Sequence, residues 1–317
     1  MRFANPILLS LALLVFSGCT SIQRIANMYS SEAPSPLSFA YQDGGSSIYY
    51  AFNVGKASQP ETVIFYAGGS GCWSRKSVMP GYLKGLSVNA RVFVLNKRFM
   101  PDRSIGIFDC GEAFHLANNP SQWISDYSEF IAAQLGVLPQ KPKIVVMVGV
   151  SEGGLVAAKI AARTPAITHL GIISYGGYSV RQMYTVLAQK GQLPVDIDGW
   201  KEIPSDPRNI EKKWYGSPYR WWSDMMDIDP LPDFLKLDIP IFVGAGEKDQ
   251  VVPVEAALFL DAKFKEAGKN NLTLKIYPEA DHFLNGNGVS HRDEFFAELS
   301  LMLQPPHNSV AGQTVHP

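Results

Sequence analysis

The side chain in the most reactive setting is a serine. Ser151 stands in Gly149-Val150-Ser151-Glu152-Gly153, between an apolar run that reads as a strand and a small-residue run that reads as a helix. A G-x-S-x-G turn at such a junction puts a hydroxyl on a tight bend, with glycines beside it because side chains there would collide with neighbouring backbone. The following helix turns unpaired N–H groups and the positive end of its dipole towards the place where an oxyanion would form. A serine hydroxyl is a weak nucleophile at neutral pH, so it requires an imidazole within hydrogen-bond reach and an acid to orient that imidazole. Two later apolar runs end in such groups: IPIFVGAG (239–246) leads into Glu247 and Asp249, and LTLKIYP (272–278) into Glu279, Asp281 and His282. As strands of one parallel sheet, these runs would place all three groups at carboxyl ends, where open α/β sheets bind ligands.

The stretch around Ser151 resembles the nucleophile elbow of the α/β-hydrolase superfamily. Gly246, Asp249, Val252 and Pro253 resemble the turn that carries the superfamily's acid, and Asp281-His282-Phe283 resembles the loop that carries its histidine. The resemblance implies Ser151, Asp249 and His282 as the catalytic set. Glu247 and Asp281 compete with Asp249, but Glu247 lies one residue past its strand and Asp281 adjoins His282 in sequence, where it would tend to point elsewhere. His115, His169, His291, His307 and His316 have weaker claims as the base. An oxyanion requires two N–H donors. The backbone of Glu152 offers one, and Gly69 or Ser70 offers the other from Gly68-Gly69-Ser70-Gly71-Cys72-Trp73, which resembles the superfamily's HGGG-type loop with Tyr66-Ala67 in place of the histidine. The Glu152 side chain either reads a substrate amine or pairs with a nearby Lys or Arg.

The elements that must position these groups are legible as short apolar runs alternating with amphipathic segments, the pattern of buried parallel strands and crossover helices. Strands are expected at 62–67, 90–96, 143–149, 169–176, 239–246 and 272–278, preceded by a hairpin of 38–41 and 46–52 about Asp43-Gly44-Gly45. Helices are expected over 78–86, 121–135, 154–163, 254–267 and 292–303. The fold class is therefore α/β, a doubly wound, mostly parallel sheet over 38–303, and the resemblance implies the α/β-hydrolase fold. A long insertion, about 178–237, carries Trp200, Trp214, Trp221 and Trp222 with Tyr184, Tyr215 and Tyr219. It reads as a mostly helical lid over the carboxyl edge, its aromatics forming either a substrate wall or the lid's own core.

The chain has 317 residues, 46% hydrophobic and 18% charged, with a formal charge of −1, which fits a globular protein and excludes nucleic acid as an electrostatic partner. Residues 1–18 read as an export signal, with Arg2, the apolar run Ile7 to Phe16 and a small-residue ending; ten such residues cannot span a bilayer, which takes about 20. Ser17-Gly18-Cys19 resembles a bacterial lipobox, which implies lipidation at Cys19 and a membrane anchor on the periplasmic face of the cell envelope; the alternative is an ordinary secretory signal. Residues 19–37 read as a tether and 304–317 as a disordered tail. With Cys19 lipidated, Cys72 and Cys110 remain as a pair in an oxidising compartment; a disulfide between them would contribute about 3–4 kcal/mol by chain-entropy reasoning, and two free buried thiols are the alternative. No zinc-binding spacing occurs, the G-x-G of the glycine-rich loop is too weak a sign of a nucleotide, and no metal or cofactor is expected.

The expected function is a serine hydrolase acting on a small acyl substrate, a carboxylic ester foremost. A serine peptidase or aminopeptidase of the same fold is the first alternative, and a non-catalytic lipoprotein binding module the second.

Overall fold

The six apolar runs and the N-terminal hairpin enter one sheet. The computed structural model describes residues 26, 27, 29, 33–77, 79, 81–106, 110–193 and 197–304; the signal, Cys19, most of the tether and nearly all of the tail lie outside the described residues. The strands are β1 (Leu37–Ala40), β2 (Ser46–Val54), β3 (Thr62–Ala67), β4 (Ala90–Leu95), β5 (Ile144–Val150), β6 (His169–Ile173), β9 (Ile241–Gly246) and β10 (Leu272–Tyr277), in the spatial order β1-β2-β4-β3-β5-β6-β9-β10. β1 and β2 pair antiparallel, as do β2 and β4, and every other neighbouring pair is parallel. The chain places β4 on one side of β3 and β5 on the other, so the order reverses between β3 and β5 and opens a crevice at their carboxyl ends.

Both faces of the sheet are covered, which explains the continuous apolar runs. Along β3, Val63, Phe65 and Ala67 join a core with Tyr127 and Phe130 of helix α2 (Pro120–Val137) and Leu155 of helix α3 (Glu152–Ala161). Ile64 and Tyr66 point the other way, into a core with Phe295 and Leu299 of the last helix, α8 (Arg292–Met302). Helix α2 starts where Asn119 caps it, its side chain accepting from the Gln122 N–H at 2.9 Å, with Pro120 in the first turn. Helix α7 (Glu255–Glu266) follows β9.

Two expectations fail locally. The run 78–86 is not one helix: short 3₁₀ turns occupy Arg75–Ser77 and Gly81–Leu83. Gly85 lies so close to α8 that a Cβ there would come within 1.8 Å of the Asp293 carbonyl oxygen. Conversely, a short helix that is not among the expected ones, α1 (Glu112–Ala117), forms within the 97–120 connection between β4 and α2.

Between β6 and β9 the chain forms α4 (Val180–Gln189), a 3₁₀ segment (Ile197–Ser205), a minimal hairpin of β7 (Lys213–Trp214) and β8 (Ser217–Pro218), α5 (Tyr219–Met225) and α6 (Leu231–Lys236). Its α5 packs on α2 and its α6 on α3, tied by Ser121 to Asp224 and by an ion pair of Lys159 with Asp233 at 2.6 Å. Trp214, Trp221 and Trp222 pack on one another and join the large core on the α2 and α3 side.

Candidate active site

The crevice between β3 and β5 collects the groups that the sequence separates. β5 ends level with β3, Gly149 opposite Ala67, and Ser151 follows immediately. Ser151 holds φ 56° and ψ −126°, a conformation L residues rarely adopt, and its N–H is fixed by the Ile173 carbonyl of β6 at 2.9 Å. The flanking glycines are required by contact: a Cβ on Gly149 would meet the Gly153 carbonyl oxygen at 2.2 Å, and a Cβ on Gly153 would meet the Ala67 carbonyl oxygen at 2.1 Å. Helix α3 thus sits directly against the end of β3, which aims the Ser151 hydroxyl into the crevice.

The Ser151 Oγ lies 3.0 Å from His282 Nε2, and His282 Nδ1 lies 2.8 Å from Asp249 Oδ2. The other oxygen of Asp249 accepts the N–H groups of Val251 and Val252 at 2.8 and 2.9 Å, so the buried carboxylate is held from both sides. The competing acids are engaged elsewhere: Asp281 accepts from the N–H groups of Phe283 and Asn285, and Glu247 from that of Glu279. The His282 loop is braced by Ser174, itself at positive φ, whose hydroxyl donates to the His282 carbonyl at 2.8 Å. The remaining described histidines do not join the group: His169 bonds Thr168 and His291 bonds Glu294, while burial pushes the His115 imidazole below its ordinary pKa.

Gly69 sits against Ser151, where a built Cβ would be 3.3 Å from the serine Cβ, and Gly69 and Ser70 both line the cavity with Ser151 and His282. Arg75 closes this loop from behind, donating from Nη2 to the Gly69 carbonyl at 2.6 Å. The Cys72–Cys110 disulfide, with a sequence separation of 38, and a bridge between Trp73 and Ile105 tie the loop to the 97–120 connection. Ser74 donates to the Asp102 carbonyl, and Lys76 pairs with the Asp102 carboxylate at 2.9 Å.

The Glu152 side chain does not face the cavity. It is 3% exposed and pairs with Lys97 at 2.8 Å, while Lys97 also donates to Asn118 and lies over the Trp123 ring. Burial draws the Lys97 ammonium below its ordinary pKa, and the Glu152 carboxylate opposes that shift. Of the two alternatives for the Glu152 side chain, the structure shows the pairing with a lysine: Oε1 is bonded to Lys97, and Oε2, also buried, has no hydrogen-bond partner among the described residues.

The cavity beside Ser151 has a volume of about 330 Å³, and its other walls come from Tyr66, Trp73, Arg75, Tyr82, Val251, Phe283 and Arg292. None of its lining residues belongs to the 178–237 insertion, whose Trp214, Tyr219, Trp221 and Trp222 are buried in the core while Tyr215 is exposed. A larger cleft of about 1030 Å³ lies at the opposite edge, beside Thr62, Ile144, His169 and Pro240, and holds none of these groups. Arg75, Tyr82 and Arg292 escaped sequence reading because no motif ties them to Ser151; only the return of the loop and of α8 to this edge brings them together.

A family model, the prolyl oligopeptidase family, matches residues 106–304, which include Ser151, Asp249 and His282. The chain belongs to the prolyl oligopeptidase family. It is a serine hydrolase with the α/β-hydrolase fold. With that, the binding-module alternative falls. Among solved structures it is similar to Est1E from Butyrivibrio proteoclasticus, at 16% identity and a TM-score of 0.59, covering 84% of this chain and 98% of that one. It is also similar to the Pyrococcus furiosus esterase Pf2001, at 15% identity and a TM-score of 0.57, covering 86% of this chain and 91% of that one. The acylaminoacyl peptidase of Pyrococcus horikoshii matches at 16% identity and a TM-score of 0.55 over 85% of this chain, which spans only 41% of that one. No curated protein matches the chain.

Proposed function

We propose that this serine hydrolase cleaves a carboxylic ester or related acyl substrate through an acyl-enzyme. The observation that carries the reading is the unbroken relay from Asp249 through His282 to Ser151, with contacts of 2.8 and 3.0 Å at the mouth of a small cavity. Ser151 Oγ attacks the carbonyl carbon as its proton passes to His282 Nε2, and Asp249 on Nδ1 holds the tautomer and stabilises the imidazolium. The N–H of Glu152 and that of Gly69 or Ser70 receive the oxyanion, after which His282 protonates the departing alcohol. Water then repeats the sequence on the acyl-enzyme, with His282 as base, and releases the acid.

Peptidase chemistry is the second reading, favoured by the family match and by the acylaminoacyl peptidase neighbour. Against a free-amine substrate stand the burial of Glu152 under Lys97 and a cavity lining without a carboxylate among the described residues. Comparing hydrolysis of short 4-nitrophenyl acyl esters with that of aminoacyl 4-nitroanilides separates the readings; faster turnover of the anilides would reverse the choice. A fluorophosphonate probe should label the wild type and leave Ser151→Ala unlabelled, and equal labelling of both would sink the assignment of Ser151.

We also propose a lipid anchor at Cys19 on the periplasmic face of the cell envelope, supported by Arg2, the apolar run and Ser17-Gly18-Cys19. On this reading Cys19→Ser leaves the membrane fraction, and firm retention of that variant would remove the anchor.

A further inference from the structure

The cavity beside Ser151 carries positive charge. Arg98 is clamped by Asp43 and Asp126, and Arg181 by Asp227. Arg75 and Arg292 both line the cavity beside Ser151, and neither has a carboxylate partner among the described residues. Arg75 is committed in part, through Nη2, to the Gly69 carbonyl. Arg292 donates from Nε to the Ser290 hydroxyl at 3.0 Å and lies 4.8 Å from the centre of the Tyr82 ring. Tyr82 is itself in the wall, only 8% exposed, with its hydroxyl buried beside Tyr66 and Arg292. The Arg292 guanidinium presents a planar, permanently charged fork suited to a carboxylate.

We infer that the substrate bears a carboxylate besides the scissile carbonyl, received by Arg292 in the cavity that opens onto Ser151. This rests on the reading of Ser151 as the nucleophile. Such a substrate is a half-ester of a dicarboxylic acid, or an ester whose leaving group carries the acid. The cavity, at the small end of the usual range for ligand pockets, suits a short chain of this kind.

The test compares three esters, with buffer hydrolysis subtracted: neutral 4-nitrophenyl hexanoate, 4-nitrophenyl hydrogen adipate with the acid on the acyl side, and 4-carboxyphenyl hexanoate with the acid on the leaving group. One carboxylate ester should exceed the neutral ester in kcat/KM by about tenfold or more, the size of one charge-assisted hydrogen bond, and which one does so tells the side. The ratio should collapse in Arg292→Gln and be partly kept in Arg292→Lys. Equal or faster turnover of the neutral ester by the wild type, or a ratio unmoved in Arg292→Gln, overturns the inference. Calorimetric titration of Ser151→Ala with the same esters keeps the two readings apart. If the wild type cleaves none of them, the esterase reading fails. The anion site stands if Ser151→Ala binds a carboxylate ester more tightly than the neutral one and loses that preference when Arg292→Gln is added, and falls if it does not.

Discussion

Ser151 carries its strain at φ 56°, a class of backbone conformation that costs about 1–3 kcal/mol and persists only where the surroundings over-determine it. Here the surroundings are the Ile173 carbonyl, the α3 helix and the close approach of Gly153 to β3. Asp249 shows the same economy at the other end of the relay, one oxygen on His282 and the other on two backbone N–H groups. Asn at 249 keeps the shape but can leave the imidazole in the wrong tautomer. Asp249→Asn should therefore lower kcat by about 10⁴ with little change in thermal unfolding, measured by steady-state ester hydrolysis and calorimetry on the same preparation. A loss of less than tenfold would show that another acid orients His282.

At the scale of elements, the buried pair of Lys97 and Glu152 joins the connection after β4 to the first turn of α3. Desolvation makes such a pair a weak net source of stability, yet removing one partner strands the other charge. Lys97→Met should cost about 3–5 kcal/mol in chemical denaturation. Adding Glu152→Gln should return much of it, and a double variant no more stable than Lys97→Met would mean that packing against Trp123 matters more than charge. The Cys72–Cys110 disulfide acts on the neighbouring loop. Replacing both cysteines by alanine should reduce stability by about 3–4 kcal/mol and also lower kcat/KM, because the loop that presents Gly69 and Ser70 then loses its covalent tie to the 97–120 connection and keeps only hydrogen bonds and ion pairs.

For the whole molecule, the insertion after β6 is a supporting layer on α2 and α3. Trp222 is 1% exposed and its indole N–H donates to the Trp214 carbonyl at 2.7 Å. Trp222→Ala should cost about 3–5 kcal/mol, seen as a lower unfolding midpoint, while the order of preference among acyl chain lengths stays the same because Trp222 does not line the cavity. A changed preference with unchanged stability would instead show that the insertion shapes the substrate site. The opposing face, with α8 and the 3₁₀ turns near Tyr82, holds a second core and also contributes to the cavity wall.

Local chemistry and local period were legible in the chain before any fold was known. G-x-S-x-G at a strand and helix junction, an acid and a histidine after later apolar runs, and the alternation of those runs with amphipathic segments each depend on a few neighbouring residues. For that reason β3, β5 and α3 fall within a residue or two of their expected bounds. The 78–86 segment misled because its fate rests on Gly85 packing against Asp293, more than two hundred positions away. The same holds for the side chain of Glu152, whose partner Lys97 is 55 residues distant, and for the meeting of Arg75, Tyr82 and Arg292. Which charges face a substrate and which are buried against each other depends on long-range packing, and packing has no period that a sequence displays.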